Sequence, residues 1–275
     1  MSLLEGHKTL LLIGVGNMGE AMLRSWIQSQ LSEISFLVLE PRPSVWLKNA
    51  SKKGLLELNP SKFVKSIDVC ILAVKPQKLE EVLAVNQERL SHETLIISVV
   101  AGKKFRQFYE CLGNKQPIIR VMPNTPVSIN QGMSAIVVGK SVNKPYVDFA
   151  KKLFGSLGQA VILSNEKDID IVTAISGSGP AYIFNFIENL SEIGEELGLS
   201  SEDARTLSIQ TVLGAGFLAS SSTLDAKRLR ENVTSPGGTT EAALEVLMDE
   251  KVGWKPIIKK AILAAFMRSQ KLANN

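Results

Sequence analysis

The chain has 275 residues, 45% of them hydrophobic and 21% charged, a balance typical of a soluble globular protein with room for two domains. Its 31 lysines and arginines against 27 aspartates and glutamates give a net charge of +4, and the charges are scattered, so no nucleic-acid partner is indicated. Two cysteines exclude a disulfide framework or a four-cysteine metal site, and no apolar run could span a membrane. We therefore expect a cytoplasmic protein without a metal centre.

The first part of the chain alternates short apolar runs with helical patterns. The strand-like runs are Thr9–Val15, Ser35–Glu40, Val69–Val74, Thr94–Val99 and Ile118–Met122, and the helical stretches are Met18–Ser29, Val45–Lys53, Lys78–Glu88 and Phe105–Cys111. Runs that are apolar on both faces and joined by helices indicate a parallel sheet covered on both sides. The pattern predicts an α/β, Rossmann-like, doubly wound domain.

A glycine-rich loop, Gly14–Gly19, follows the first strand and opens the first helix. Gly14 permits the tight turn, Gly16 lets the backbone approach a pyrophosphate, and Gly19 allows close packing of helix and strand. This setting predicts dinucleotide binding rather than a turn without a ligand. The predicted contacts are Gly14, Gly16, Asn17, Met18 and Gly19.

The residues after the second strand give opposite indications about the choice between NAD and NADP. Glu40 occupies the position of an acid that binds the ribose hydroxyls of NAD, whereas Arg42 is placed to favour the 2′-phosphate of NADP. Glu40 is also compatible with an ordinary solvated residue at a strand end. The residues themselves leave the choice of cofactor open.

The ends of the later strands border the same edge of the predicted sheet. Ligands of open α/β sheets bind outside the carboxyl ends of the strands, so these residues are expected to line the nicotinamide half of the cofactor. The set comprises Ala73, Val74, Lys75, Pro76, Ala101 and Asn124. The alternatives are a surface lysine at position 75 and a rigid proline turn around Asn124.

Two weaker strands, Ser134–Val138 and Ala160–Leu163, flank a helix over Asn143–Leu157, and strand signals then end. The predicted domains are therefore residues 1–164, which bind the dinucleotide, and residues 165–275, an all-helical domain. Helical spacing from Pro180 predicts a helix that ends at Gly198. The next helix, about Ser201–Ser220, is apolar around most of its circumference, so we expect a second subunit to cover it.

Hydroxyls and backbone amides are concentrated in Asn232–Thr240, directly before a helical pattern. A helix N-terminus of this kind can receive a small carboxylate, although serine and threonine there are also typical of an ordinary cap. A dinucleotide loop and a downstream anion site together indicate a redox enzyme for a small acid. The only histidines, His7 and His92, lie outside these motifs, so a histidine acid is not expected.

Five motifs in order give the chain a resemblance to pyrroline-5-carboxylate reductases. They are Gly14–Gly19, Ala73–Pro76, Val121–Pro126, Ser176–Tyr182 and Val233–Thr240. The resemblance implies that NAD(P)H reduces the ring imine of 1-pyrroline-5-carboxylate to L-proline, the last step of proline synthesis. It also implies a C-terminal dimerisation domain that interlocks with a partner's, in homodimers that assemble further into decamers.

The resemblance also implies roles for single residues. Ser235, Gly238 and Thr240 would hold the substrate carboxylate, with Gly237 and Thr239 in the same turn, and Ser176–Tyr182 would lie near the nicotinamide and the pyrroline ring. The candidates for proton relay are Ser178, Tyr182, Ser235 and Thr240, together with Ser176. Arg42 matches the family position for the 2′-phosphate, so NADPH is the expected donor. Pro41, directly before it, departs from the family pattern and leaves NADH open.

Two other functions remain as alternatives. A hydroxyacid dehydrogenase of the related helical-domain superfamily would carry a catalytic lysine four residues after its Gly-x-Gly, where this chain has Ile183 after Gly177-Ser178-Gly179. A non-catalytic NADP-binding sensor would keep the glycine loop but would have no need for the Ser235–Thr240 turn. Both alternatives are therefore less consistent with the sequence than an imine reductase.

Overall fold

The computed structural model describes residues 6–29, 31, 33–62 and 66–273. Contacts divide the chain into two compact units, one comprising the residues up to Gly177 together with those from Ala265 onward, and the other Ser178–Ala264. The predicted domain limits at residues 1 and 275 lie outside the described residues. The predicted boundary between residues 164 and 165 stays a prediction.

The first unit contains an eight-stranded sheet. Its strands are β1 (Lys8–Ile13), β2 (Ile34–Leu39), β3 (Glu57–Leu58), β4 (Val69–Leu72), β5 (Leu95–Ser98), β6 (Ile118–Met122), β7 (Gly132–Val138) and β8 (Gly158–Leu163). Their spatial order is β3-β2-β1-β4-β5-β6-β7-β8. The order reverses between β1 and β4, which is the doubly wound arrangement that the sequence predicts.

Helices connect these strands at the positions predicted, with ends shifted by a few residues at most. They are α1 (Asn17–Gln28), α2 (Val45–Lys52), α3 (Leu79–Asn86), α4 (Phe105–Leu112) and α5 (Lys144–Gly155). A short helix that was not predicted, α6 (Asp168–Val172), follows the last strand. The two faces of the sheet bury separate apolar clusters. Leu10, Leu12 and Trp26 belong to one cluster, and Leu11 and Phe108 to the other. This burial on both sides explains why the strands read as continuous apolar runs.

The expectation of a parallel sheet is wrong at one point. Strand β7 runs antiparallel to β6, with Ile119 opposite Val138, and β8 is parallel to β7. Residues 123–131 between them form only a 3₁₀ turn, Thr125–Ile129, followed by the left-handed Asn130. A parallel connection needs a longer crossover, so this short segment requires an antiparallel pair.

The second unit is helical. It contains α7 (Gly179–Glu196), α8 (Ser201–Ser221), α9 (Ala226–Asn232), α10 (Thr239–Leu247) and the first part of α11 (Trp254–Ala273). Pro180 lies in the first turn of α7, and Gly198, with a φ of 103°, follows its end, so both predicted limits are confirmed. No strand follows Leu163 within the described residues.

Helix α8 buries little of its apolar surface within this chain. Ala204 and Ser208 are its buried residues, whereas Leu207, Leu213 and Phe217 are 55%, 49% and 58% exposed. The side chains around the helix are therefore left for another surface to cover, as the sequence predicts. None of the described helices combines the length and apolar character needed to cross a membrane.

Candidate active site

The glycine loop between β1 and α1 is compact on one side and open on the other. A Cβ atom on Gly14, whose φ is 83°, would lie 2.6 Å from Val74 Cγ1, and one on Gly19 would lie 2.6 Å from the Gly14 carbonyl oxygen. At Gly16, by contrast, the described residues beyond its immediate chain neighbours place no atom within 4 Å of the Cβ position. Each glycine thus has the environment that its predicted role in a dinucleotide loop requires.

The start of α1 faces this open side of the loop. Gly16 is the N-cap residue, and because glycine has no side chain it does not cap the helix by a side-chain hydrogen bond. The first-turn amides, which have no partners within the helix, and the positive end of the helix dipole are therefore available to an anion. This geometry fits the pyrophosphate of a dinucleotide.

Glu40, directly after β2, contacts the glycine loop. Its Oε2 accepts a hydrogen bond from the Val15 amide at 2.7 Å, and its Oε1 accepts one from the Arg42 amide at 2.9 Å. Arg42 itself is exposed, and no ion pair joins its guanidinium to another residue that the structure describes. The two residues that gave opposite indications about the cofactor therefore have different environments. Glu40 is hydrogen-bonded within the protein, whereas Arg42 faces solvent.

The predicted nicotinamide residues follow the carboxyl ends of β4, β5 and β6. Ala73 and Val74 border Gly14, whereas Lys75 and Ala101 are exposed. Asn124 is buried and bonded within the protein, because its Oδ1 accepts from the Met133 amide at 2.8 Å and its Nδ2 donates to the Ser176 carbonyl at 3.2 Å. Asn124 therefore holds the Ser176 backbone at the end of β6.

The segment Ser176–Tyr182 spans a change of backbone geometry. Residues Thr173–Gly177 form a π-helical turn in the first unit, and Ser178 is the N-cap of α7 in the second. Tyr182 lies in the first turns of α7 with 36% of its surface exposed. A π-helical turn of this kind is frequent at functional sites.

The turn before α10 has the features of an anion receptor. Gly238 is the N-cap residue, so α10 begins without a side-chain cap. No hydrogen bond joins the hydroxyls of Ser235, Thr239 or Thr240 to another residue in the described part of the chain. No serine or threonine side chain therefore caps α10, which leaves the hydroxyls and first-turn amides available to a ligand.

Glu241 shapes this turn and was missed in the sequence. Its Oε2 accepts the Gly237 amide at 2.6 Å, and the Gly238 amide donates to the Ser235 carbonyl at 3.0 Å. An acid at the third helical position is the pattern of a capping box, which was the available signal. The turn is thus held by its own backbone and by Glu241, independently of the neighbouring hydroxyls.

A partly buried ion pair in the first unit was also missed. Arg120, in β6, places Nη1 2.6 Å from Glu166 Oε1, and the same oxygen accepts the Phe105 amide at 2.6 Å. Burial lowers the pKa of Arg120, and the neighbouring carboxylates of Glu166 and Asp170 oppose that effect. The pair connects β6, the start of α4 and the segment before α6, so its role is structural.

Both histidines lie at the amino ends of parallel strands. His7 precedes β1 and has Nε2 2.5 Å from Ser35 Oγ at the start of β2, and His92 precedes β5. The glycine loop follows the carboxyl end of β1, on the opposite edge of the sheet. A histidine acid at the predicted cofactor edge is therefore excluded for the first unit.

The comparisons with known proteins agree over nearly the whole chain. Residues 166–272 match the family model for pyrroline-5-carboxylate reductase dimerisation, and residues 9–102 match that for NADP oxidoreductase, coenzyme F420-dependent. The pyrroline-5-carboxylate reductase of Pseudomonas aeruginosa is 36% identical over 263 residues, 95% of either chain.

Two solved structures extend this agreement to the fold. A pyrroline-5-carboxylate reductase from Coxiella burnetii is 32% identical with a TM-score of 0.88, covering 98% of this chain and 99% of that one. A Plasmodium falciparum pyrroline carboxylate reductase with NADP bound is 30% identical with a TM-score of 0.84, covering 97% and 98%.

Proposed function

This chain belongs to the pyrroline-5-carboxylate reductase family, and from that membership we propose a division of roles among its residues in the reduction of 1-pyrroline-5-carboxylate to L-proline. The observation that supports the proposal most strongly is the pair of helix starts that have a glycine at the N-cap, Gly16 at α1 and Gly238 at α10. The first suits a pyrophosphate and the second a carboxylate. A nicotinamide reductase of a small acid needs both.

The glycine loop binds the cofactor. The amides that follow Gly16, those of Asn17, Met18 and Gly19, receive the pyrophosphate, and Arg42 receives the 2′-phosphate, so NADPH is preferred and NADH is a weaker donor. The exposed guanidinium of Arg42 and the NADP bound to the Plasmodium falciparum relative support this preference. The nicotinamide end is lined by Ala73, Val74, Lys75, Pro76, Ala101 and Asn124. When bound, the cofactor supplies a hydride.

The turn before α10 binds the substrate. Ser235, Gly238 and Thr240 hold the carboxylate, and Gly237 and Thr239 complete the turn. Support comes from the hydroxyls without internal partners and from the helix start without a side-chain cap. A carboxylate there gains charge-assisted hydrogen bonds, which orient the ring before reaction.

The chemistry needs little from side chains beyond orientation. A proton adds to the ring nitrogen and a hydride to the adjacent ring carbon of the C=N bond, and the protonated imine is already electrophilic. Ser178, Tyr182, Ser235 and Thr240 are the side chains proposed to relay the proton. Ile183 at the place of the dehydrogenase lysine, together with histidines at the opposite edge of the sheet, favours imine over alcohol chemistry.

The active assembly is a homodimer formed through α7 and α8, which associates further into a decamer, and the enzyme works in the cytoplasm. The half-exposed apolar side chains of α8 and the dimerisation model matched by residues 166–272 support the dimer. We further propose that the dinucleotide domain ends at residue 164 and the helical domain begins at residue 165.

A substrate panel tests this function. Oxidation of NADPH and of NADH is followed at fixed enzyme with 1-pyrroline-5-carboxylate and with a series of 2-keto acids. The expected result is turnover with the pyrroline only, and faster with NADPH. Turnover of a 2-keto acid at a comparable rate would instead support a hydroxyacid dehydrogenase.

A further inference from the structure

Glu40 lies between the glycine loop and the turn that carries Arg42, the two segments proposed to bind the phosphates of the cofactor. One carboxylate oxygen accepts the amide of Val15, inside the glycine loop, and the other accepts the amide of Arg42. Each oxygen thus has a backbone donor at ordinary hydrogen-bond distance, 2.7 Å and 2.9 Å. The Val15 bond is the longer-range of the two, since it joins residues 25 apart in sequence.

The backbone of Glu40 is itself fixed from the other side. Asn59, at the end of β3, accepts the Glu40 amide through Oδ1 at 2.9 Å and donates Nδ2 to the Glu40 carbonyl at 2.9 Å. The Asn59 amide also donates to the Val38 carbonyl at 2.8 Å, and Asn59 has a left-handed φ of 49°. These contacts set the direction from which the carboxylate reaches the loop.

We propose that Glu40 is a positioning residue for the cofactor loop rather than a ligand of the ribose hydroxyls. Its carboxylate holds the Val15 amide and so keeps the loop in the shape that exposes Gly16, and it joins that loop to the turn carrying Arg42. The inference rests on the proposed function of the loop. An acid at this position then supports NADPH and NADH alike.

The chemistry of the side chain explains why an acid is needed. A carboxylate offers two acceptor oxygens, whereas glutamine offers one acceptor oxygen and an NH₂ group that cannot accept. Glu40→Gln therefore keeps one of the two backbone bonds, and Glu40→Ala keeps neither. A graded loss of cofactor affinity, alanine more than glutamine, follows from this role.

A ribose ligand and a loop-positioning residue predict different effects on the binding of NADPH and NADH. A ribose ligand contributes to NADH binding and repels the 2′-phosphate, so its removal weakens NADH and spares or improves NADPH. A residue that positions the loop supports binding of the pyrophosphate, which both cofactors share. Its removal therefore weakens both.

The experiment measures dissociation constants of NADPH and NADH by cofactor fluorescence, without substrate, for the wild type, Glu40→Ala and Glu40→Gln. Glu57→Gln is the matched control, because Glu57 is an exposed acid on β3 whose carboxylate makes no hydrogen bond or ion pair to another described residue. We expect Glu40→Ala to raise both constants about tenfold or more, with kcat at saturating cofactor nearly unchanged. Glu40→Gln should give a smaller rise, and the control none.

Weaker NADH binding with unchanged or tighter NADPH binding would overturn the proposal and make Glu40 a ribose ligand. Unchanged dissociation constants for both cofactors would also overturn the proposal, because Glu40 would then contribute nothing to cofactor binding. If Glu40→Ala does not fold, as judged by its thermal transition, Glu40→Gln decides by the same criteria. Failure of the loop's proposed role in cofactor binding would be distinct, because the wild type would then bind neither cofactor.

Discussion

Replacing Thr240 by alanine removes one hydroxyl from the turn before α10 and leaves its backbone amides in place. In the free protein that hydroxyl makes no hydrogen bond to another described residue, and the turn is held by the Gly237 amide on Glu241. Alanine is also the better helix former by up to about 0.7 kcal/mol, so the fold is not weakened. The effect of the substitution therefore appears only with substrate bound.

A hydrogen bond to a charged group contributes about 1.5 to 3 kcal/mol, which corresponds to roughly a tenfold to 150-fold loss of affinity. We expect Thr240→Ala to raise KM for 1-pyrroline-5-carboxylate by about tenfold or more in steady-state assays at saturating NADPH, with the NADPH dissociation constant nearly unchanged. Thr240→Ser is the matched control, because it keeps the hydroxyl. An unchanged KM in folded Thr240→Ala, or equal losses in both variants, would refute carboxylate binding by this hydroxyl.

Two further predictions concern the cofactor and the assembly. Arg42→Ala should raise KM for NADPH far more than KM for NADH, because only NADPH carries the 2′-phosphate; equal effects on both would exclude that contact. Sedimentation at low concentration should show no folded monomer, because Leu213 and Phe217 of α8 are 49% and 58% exposed in the single chain. A stable, compact monomer would show that α8 needs no partner.

The elements that the sequence predicts well are those with a local signal. Strands β1 and β4 are apolar on both faces, and α7 has a proline in its first turn and a glycine shortly after its end. Strand β3 has two residues, too few for any periodicity. The direction of β7 has no periodic signal either, although the short connection from 123 to 131 could have revealed it.

The candidate site likewise combines residues that the sequence identifies with contacts that only the fold creates. The glycine loop and the turn before α10 are contiguous motifs, so their residues could be named from the sequence. The contact between Glu40 and Val15 exists because β1 and β2 pair side by side, with Ile13 opposite Leu39. An acidic residue at a strand end is compatible with a ribose ligand and with a positioning residue for the loop. The residue type alone therefore does not distinguish the two roles.

The central claim is that a hydride from the nicotinamide reaches the imine carbon of 1-pyrroline-5-carboxylate. Incubating the enzyme with the pyrroline and NADPH deuterated at the transferred position, followed by mass spectrometry of the product, tests it directly. The account predicts L-proline carrying one deuterium on the ring carbon of the former C=N bond. Proline without deuterium, or no proline while the cofactor is oxidised, would contradict it.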